Sequence, residues 1–239
     1  MRLIRNALAL LPALLLMANT SSPLAGGIIK RNLIAAELPG SSLLDNKYYE
    51  WNLTATGLSQ QAFSEAVKGY TYLQQKNLLT NSDVLTIIDY SKPSSQKRLY
   101  VIDMNSGKLL FNTLVAHGRN SGLEYARDFS NREASYKTSL GFFITRNTYN
   151  GGNGYSLKLQ GCEKGINDKA LERAIVMHGA AYANESYAKQ KGYLGRSYGC
   201  PAVPEKINKE IIDAIKNGSC MFLYHPTKKY STASKILNS

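Results

Sequence analysis

The sequence predicts a mainly β protein with flanking helices, and three observations carry that prediction. Between Asp83 and Tyr224, short runs rich in Val, Ile, Leu, Phe and Tyr recur between turn residues, the mark of strands. Two of these runs are separated by Asn105-Ser106-Gly107-Lys108, a hairpin signal that makes much of the region antiparallel sheet. Only two stretches, after Ser59 and after Pro204, place apolar residues at helical spacing.

Taken in chain order, the first element is a leader. Arg2 and Arg5 precede the apolar run Ala7–Ala18, which Pro12 breaks and which is too short to span a bilayer. Small and polar residues follow, so residues 1–25 read as a secretory signal peptide cleaved between Ala18 and Gly27. A retained signal anchor is the alternative. No cysteine follows the run, which argues against a lipoprotein anchor. No later segment resembles a membrane span.

Residues 26–80 read as a linker, as far as Trp51, followed by an N-terminal helix that packs on the main domain. Ser59 is its N-cap, Leu58 and Phe63 occupy the staple positions, and Phe63, Ala66, Val67, Tyr70 and Leu73 form its apolar face. Residues 81–228 form the main domain, with strands expected in VLTIIDY, RLYVIDM, KLLFNTLVAHG, GFFITRNTY, SLKLQG and AIVMHG. A late helix runs from Pro204 to Asn217, presenting Ile207, Ile211 and Ile215 and stopped by Gly218. CMFLYHP is expected as a closing strand, and residues 229–239 as a mobile tail.

With 29 basic and 17 acidic residues the chain carries a net charge of +12. For an exported protein this favours anionic wall polymer or membrane surface over nucleic acid. A solvated basic surface without a specific partner serves equally, because no basic run exceeds two residues. The three cysteines, Cys162, Cys200 and Cys220, cannot all pair within one chain. In an oxidising compartment the odd one is a candidate reactive thiol, and spacing does not say which.

The three histidines fall in no metal-ligating motif, and Gly151–Gly154 lacks the lysine and the strand-to-helix context of a phosphate loop, so it reads as a turn. No metal or organic cofactor is expected. A Cys/His pair remains. His178 ends an apolar strand, and Gly179 after it lets another backbone approach closely. Cys200 lies between Gly199, which leaves room for substrate, and Pro201. A sharp turn there aims the Gly199 and Cys200 N–H groups at a developing oxyanion. A neighbouring imidazole is expected to stabilise the thiolate. A buried thiol and a packed histidine remain the alternatives.

The stretches LVAHGRNSG, SLGFF, IVMHGAAY and GRSYGCPAVP, in this order over most of Leu85 to Tyr224, resemble the murein L,D-transpeptidase catalytic domain, in the branch with a Gly-Cys-Pro-Ala motif. The resemblance implies a mixed β-sandwich-like fold and an exported cysteine acyltransferase acting on peptidoglycan stem peptides in the periplasm or cell wall. It implies Cys200 as nucleophile, His178 as base, and the Gly179 carbonyl as the group that orients the imidazole. Gly199 is matched as the glycine before the nucleophile. Ser197, Tyr198, Arg196, Arg173 and His117 are the substrate-binding candidates, the arginines for stem carboxylates. Tyr198 stands where the commoner motif has a histidine, which bears on donor recognition. A catalytically silent wall-binding protein and a cysteine endopeptidase or amidase are the rival functions.

Overall fold

A computed structural model describes residues 41–239, with side chains from Asn46 onward. The expected signal peptide, 1–25, and the linker up to residue 40 lie outside the described residues. The end of the expected linker is helical: α1 spans Ser41–Glu50. Tyr48 anchors it, buried and donating its hydroxyl hydrogen to the Leu58 carbonyl at 2.5 Å.

Helix α2, Gln60–Gln75, begins where the sequence places it, with the Ser59 hydroxyl accepting from the Ala62 N–H at 3.1 Å. Its buried face is Ala62, Phe63, Ala66, Val67, Gly69, Tyr70 and Leu73. Gly69 is a packing device: a β-carbon there would lie 2.0 Å from the Phe142 ring. Phe142 in turn stacks on Phe222 with centroids 4.2 Å apart. Each fully buried Phe stabilises by roughly 1.5–3 kcal/mol, so Gly69→Ala would wedge the helix off its strongest contact.

The strands are β1 Val84–Asp89, β2 Leu99–Asp103, β3 Leu109–Thr113, β4 Gly141–Gly151, β5 Gly154–Gly161, β6 Val176–Gly179, β7 Ala202–Val203 and β8 Cys220–Tyr224. They form one sheet in the order β3-β2-β1-β8-β4-β5-β6-β7. Neighbours are antiparallel except β1/β8 and β6/β7, which are parallel. The expected mainly β architecture with flanking helices is present. The Asn105–Lys108 turn joins β2 to β3, and Gly151–Gly154 closes the β4–β5 hairpin with Gly154 at φ +72°.

β8 does not close the sheet from its margin; it lies at the centre, between β1 and β4. Its five residues are all buried, and an unbroken apolar run suits a strand covered on both faces. The segment leaving β3 at one margin bridges β7 at the other, with the Ala116 N–H donating to the Ala202 carbonyl at 2.8 Å. That bridge covers an edge that would otherwise be free to pair.

Two shorter helices, α3 Glu185–Lys191 and α4 Glu205–Ile215, follow β6 and β7. α4 starts after Pro204 and buries Ile211, Ile212 and Ile215, whereas Ile207 is only partly buried. The last residues are not a mobile tail. α5, Lys228–Ala233, buries Tyr230, and Ile236 and Leu237 complete the core. Buried Glu163 holds this segment by accepting from Tyr230 Oη at 3.0 Å and from Ser234 Oγ. Among the described residues no helix is long and apolar enough to cross a membrane, and no cluster of three or more metal-capable side chains occurs.

Candidate active site

β6 places His178, and its neighbours decide what the ring can do. His178 pairs with Ser156 of β5 on one side and Ala202 of β7 on the other. The strand pleat sends Met177 into the core, and His178 to the opposite face. His178 Nδ1 lies 2.9 Å from the Gly179 carbonyl. A carbonyl only accepts, so Nδ1 carries the proton and Nε2 keeps its lone pair. The side chain is buried, which holds its pKa below the ordinary histidine range. Gly179 also seats α4: a β-carbon there would lie 3.1 Å from Asn208 Cβ.

Cys200 sits two residues before Ala202, the β7 residue that pairs with His178, and its turn runs beside Val176 at the start of β6. Its Sγ accepts from the Val176 N–H at 3.5 Å and points its hydrogen at the Ala174 carbonyl at 3.8 Å. Ala174 adopts φ +52°. Burial pushes the thiol pKa up, partly offset by the Val176 N–H and the charge of Arg173. Burial thus favours the neutral form of both groups, against the thiolate and imidazolium expected from sequence.

The turn into Cys200 is stapled by Ser197, whose hydroxyl donates to the Cys200 carbonyl at 2.6 Å and accepts from the Gly199 N–H at 3.1 Å. The Gly199 N–H is therefore spent on the turn and does not face an oxyanion. The Cys200 N–H has no protein acceptor among the described residues. Gly199 makes no room for substrate either. At φ +126°, its missing β-carbon would lie 2.9 Å from the Lys137 carbonyl and 3.0 Å from Ile175 Cδ1. Glycine is required by backbone angle and packing together.

Arg173 is not free to meet a stem carboxylate. Its guanidinium donates to the carbonyls of Ser130 at 2.8 Å and Lys137 at 2.7 Å and to the hydroxyls of Ser139 and Ser135. It pins the 130–139 loop beside Gly199 and sets a positive charge near Cys200. His117 is likewise structural. It is fully buried, accepts at Nδ1 from Arg98 Nη2 at 2.9 Å and donates from Nε2 to the Gly122 carbonyl at 3.2 Å. Burial and the Arg98 charge push its pKa down to about 3. Its backbone carbonyl holds the Ser197 N–H at 3.0 Å.

Arg196 and Tyr198 remain exposed. Arg196 Nη1 reaches the carbonyls of Arg119 at 3.2 Å and Gly122 at 3.3 Å. The Tyr198 ring packs against Tyr136, with centroids 4.8 Å apart. Sequence reasoning missed three supports. Buried Arg98 donates to the Val115 carbonyl and to His117. Thr138 accepts the Gly118 N–H at 3.0 Å. Tyr182 packs on Gly195 at the start of the nucleophile loop and accepts its N–H at 3.0 Å through the backbone carbonyl. Tyr182 falls inside a recognised stretch and Thr138 directly precedes one, so both could have been weighed; an arginine in KRLYVID gives no sign of being buried.

Clefts of about 410, 450 and 510 Å³ open elsewhere, and none is lined by Cys200 or His178. Cys162 and Cys220 are unpaired like Cys200. Strand β4 runs between them, since the Cys162 N–H bonds to Phe142 while Cys220 pairs with Ile144. That separation is too wide for a disulfide.

A family model for the L,D-transpeptidase catalytic domain matches residues 54–224. No curated protein matches the sequence. Among solved structures, an L,D-transpeptidase from Mycobacterium smegmatis is 13% identical with a TM-score of 0.37, over 60% of this chain and 59% of that one. The helical cell shape determining protein Pgp2 of Campylobacter jejuni is 14% identical with a TM-score of 0.40, over 76% of this chain and 63% of that one. L,D-transpeptidase 3 from Mycobacterium tuberculosis is 12% identical with a TM-score of 0.39, over 60% and 61%. The chain thus spans about three fifths of the length of these solved proteins.

Proposed function

Because the chain belongs to the L,D-transpeptidase catalytic domain family, we propose that it is an exported cysteine acyltransferase that remodels peptidoglycan stem peptides, working in the periplasm or cell wall. The observation that carries the reading is the β6/β7 register. It runs the Cys200 turn alongside β6, where Cys200 Sγ meets the Val176 N–H two residues before His178, and the bond of His178 Nδ1 to the Gly179 carbonyl supports Nε2 as the base we assign.

The Cys200 thiol first turns from its Val176 and Ala174 partners toward the imidazole. Sγ attacks the carbonyl between the L-centre of a diamino acid and the terminal D-alanine of a tetrapeptide stem, while Nε2 of His178 takes the thiol proton. The Cys200 N–H supports the oxyanion. Collapse breaks the C–N bond, and His178 returns the proton to the departing amine of D-alanine. An acceptor amine then attacks the thioester, giving its proton to His178 and releasing the thiol as a new amide forms. Water in place of the amine gives carboxypeptidase activity. No metal or organic cofactor takes part.

Incubation of the mature protein with tetrapeptide muropeptides and a D-amino acid, read by mass spectrometry, tests this. Wild type is expected to exchange D-alanine for the added amino acid, and Cys200→Ala to give no exchange. Exchange surviving in Cys200→Ala would overturn the nucleophile, and cleavage elsewhere in the stem would favour an endopeptidase.

A further inference from the structure

Four of the large apolar side chains most exposed in the described fold crowd into the two loops that flank Cys200: Leu123 at 49%, Tyr125 at 37%, Tyr136 at 42% and Tyr198 at 65% exposure. Single exposed apolar residues are ordinary, but a contiguous set marks a contact surface. Within the set Tyr136 and Tyr198 pack ring against ring at 4.8 Å, and Arg196, next to Ser197 in the nucleophile loop, ties that loop to the carbonyls of Arg119 and Gly122. Arg119 in turn lies over the Tyr198 ring at 5.7 Å, and its N–H donates to the Ser197 carbonyl at 2.7 Å.

These rings are held in place at a cost. Tyr136 sits at φ +53°, a left-handed conformation that a bulky aromatic residue adopts only when its surroundings impose it. Here they do: the Tyr136 carbonyl accepts from the Asn120 N–H at 3.1 Å, and Asn120 Nδ2 donates to the Ser135 carbonyl at 3.0 Å. The strain gains no burial for the ring, which is turned outward against Tyr198. Rigid tyrosine faces offer contact area with little side-chain entropy left to lose. The exposed, ring-on-ring pair presents its faces outward, which suits a flat, extended ligand.

We propose that the Tyr136–Tyr198 ridge, flanked by Arg119 and Arg196, is a docking surface for the glycan strand, its rings stacking on the C–H faces of N-acetylated amino sugars. The identity of the sugar rests on the peptidoglycan reading above, whereas the ridge itself does not depend on turnover. The glycan would hold the stem beside Cys200, making its delivery to the thiol a local event.

Binding of a neutral N-acetylglucosamine hexamer to the full mature protein carrying Cys200→Ala, by calorimetry, tests the ridge without any chemistry. Saturable binding is expected, weakened fivefold or more by Tyr198→Ala and by Tyr136→Gly and unmoved by Tyr149→Ala, an exposed tyrosine on the β4 hairpin. Tyr136→Gly also removes the backbone strain, so it is expected to melt no lower than its parent while binding more weakly. No saturable binding, or equal weakening by Tyr149→Ala, overturns the ridge. A protein that exchanges D-alanine but ignores the hexamer refutes the ridge alone. One that binds the hexamer through these tyrosines but exchanges nothing refutes the acyltransferase reading alone.

Discussion

Burial acts on Cys200 and His178 from opposite sides of the same proton: it raises the thiol and lowers the imidazole, and so favours the proton on sulfur. Alkylation of Cys200 is therefore expected to climb with pH through and beyond the range of an ordinary thiol, near 8.5, and to be slow below pH 7. A labelling profile flat down to pH 6 would show that a thiolate–imidazolium pair exists after all. His178→Ala should cut turnover by a hundredfold or more, the usual reach of a general base, while changing the labelling profile little. Arg173→Met, which removes the nearby positive charge, should shift that profile upward, and Arg173→Lys should restore part of the shift. Cys200, His178 and Gly179 could be named as candidates from the sequence because their neighbours are distinctive. The roles of Gly199, Arg173 and His117 were not, since they depend on which residues from the 118–139 loop lie against them.

At the scale of elements, glycines decide how closely neighbours approach. Gly179→Ala would press on Asn208 at 3.1 Å and on Glu205 of α4; overpacking of this kind typically costs about 1–3 kcal/mol, readable as a lower Tm. The ring tilt of His178 depends on the same residue, so activity should fall by more than the loss of stability explains. Removing residues 229–239 would strip Tyr230 and Ser234 from Glu163 and uncover core residues against Ile236 and Leu237. Thermal unfolding of that truncated chain is expected well below wild type; an unchanged Tm would mean the segment is dispensable. The long apolar runs declared their strands plainly, and Ser59 declared α2. α1, the C-terminal helix and two-residue β7 went unread, because such short segments take their structure from what they pack on and not from their own periodicity.

Across the whole molecule, all three histidines are held below their ordinary pKa, His117 at about 3. A histidine depressed in the fold binds fewer protons folded than unfolded. Its contribution is thus complete above about pH 6.5 and drains away as the pH falls toward 3, at about 1.4 kcal/mol per pH unit for one such group. Melting followed from pH 7 to 4 should show this decline, and His117→Gln, which keeps an acceptor for Arg98 and a donor for Gly122, should flatten part of it. A slope identical in the variant would remove His117 from the account. The central position of β8 reaches further than packing. Leu85 pairs with Cys220, 135 residues later in the chain, so the two halves of the sheet have no common spine until almost the entire polypeptide is available. Non-local closure of this kind is slow, on the order of milliseconds to seconds. A growing chain would leave β1 and β4 each with an unpaired edge for most of its synthesis, open to capture by whatever holds unfolded chains. A chain stopped at Ser219 is accordingly expected to show no cooperative melt, and its Cys200 to label as fast as a free thiol in denaturant.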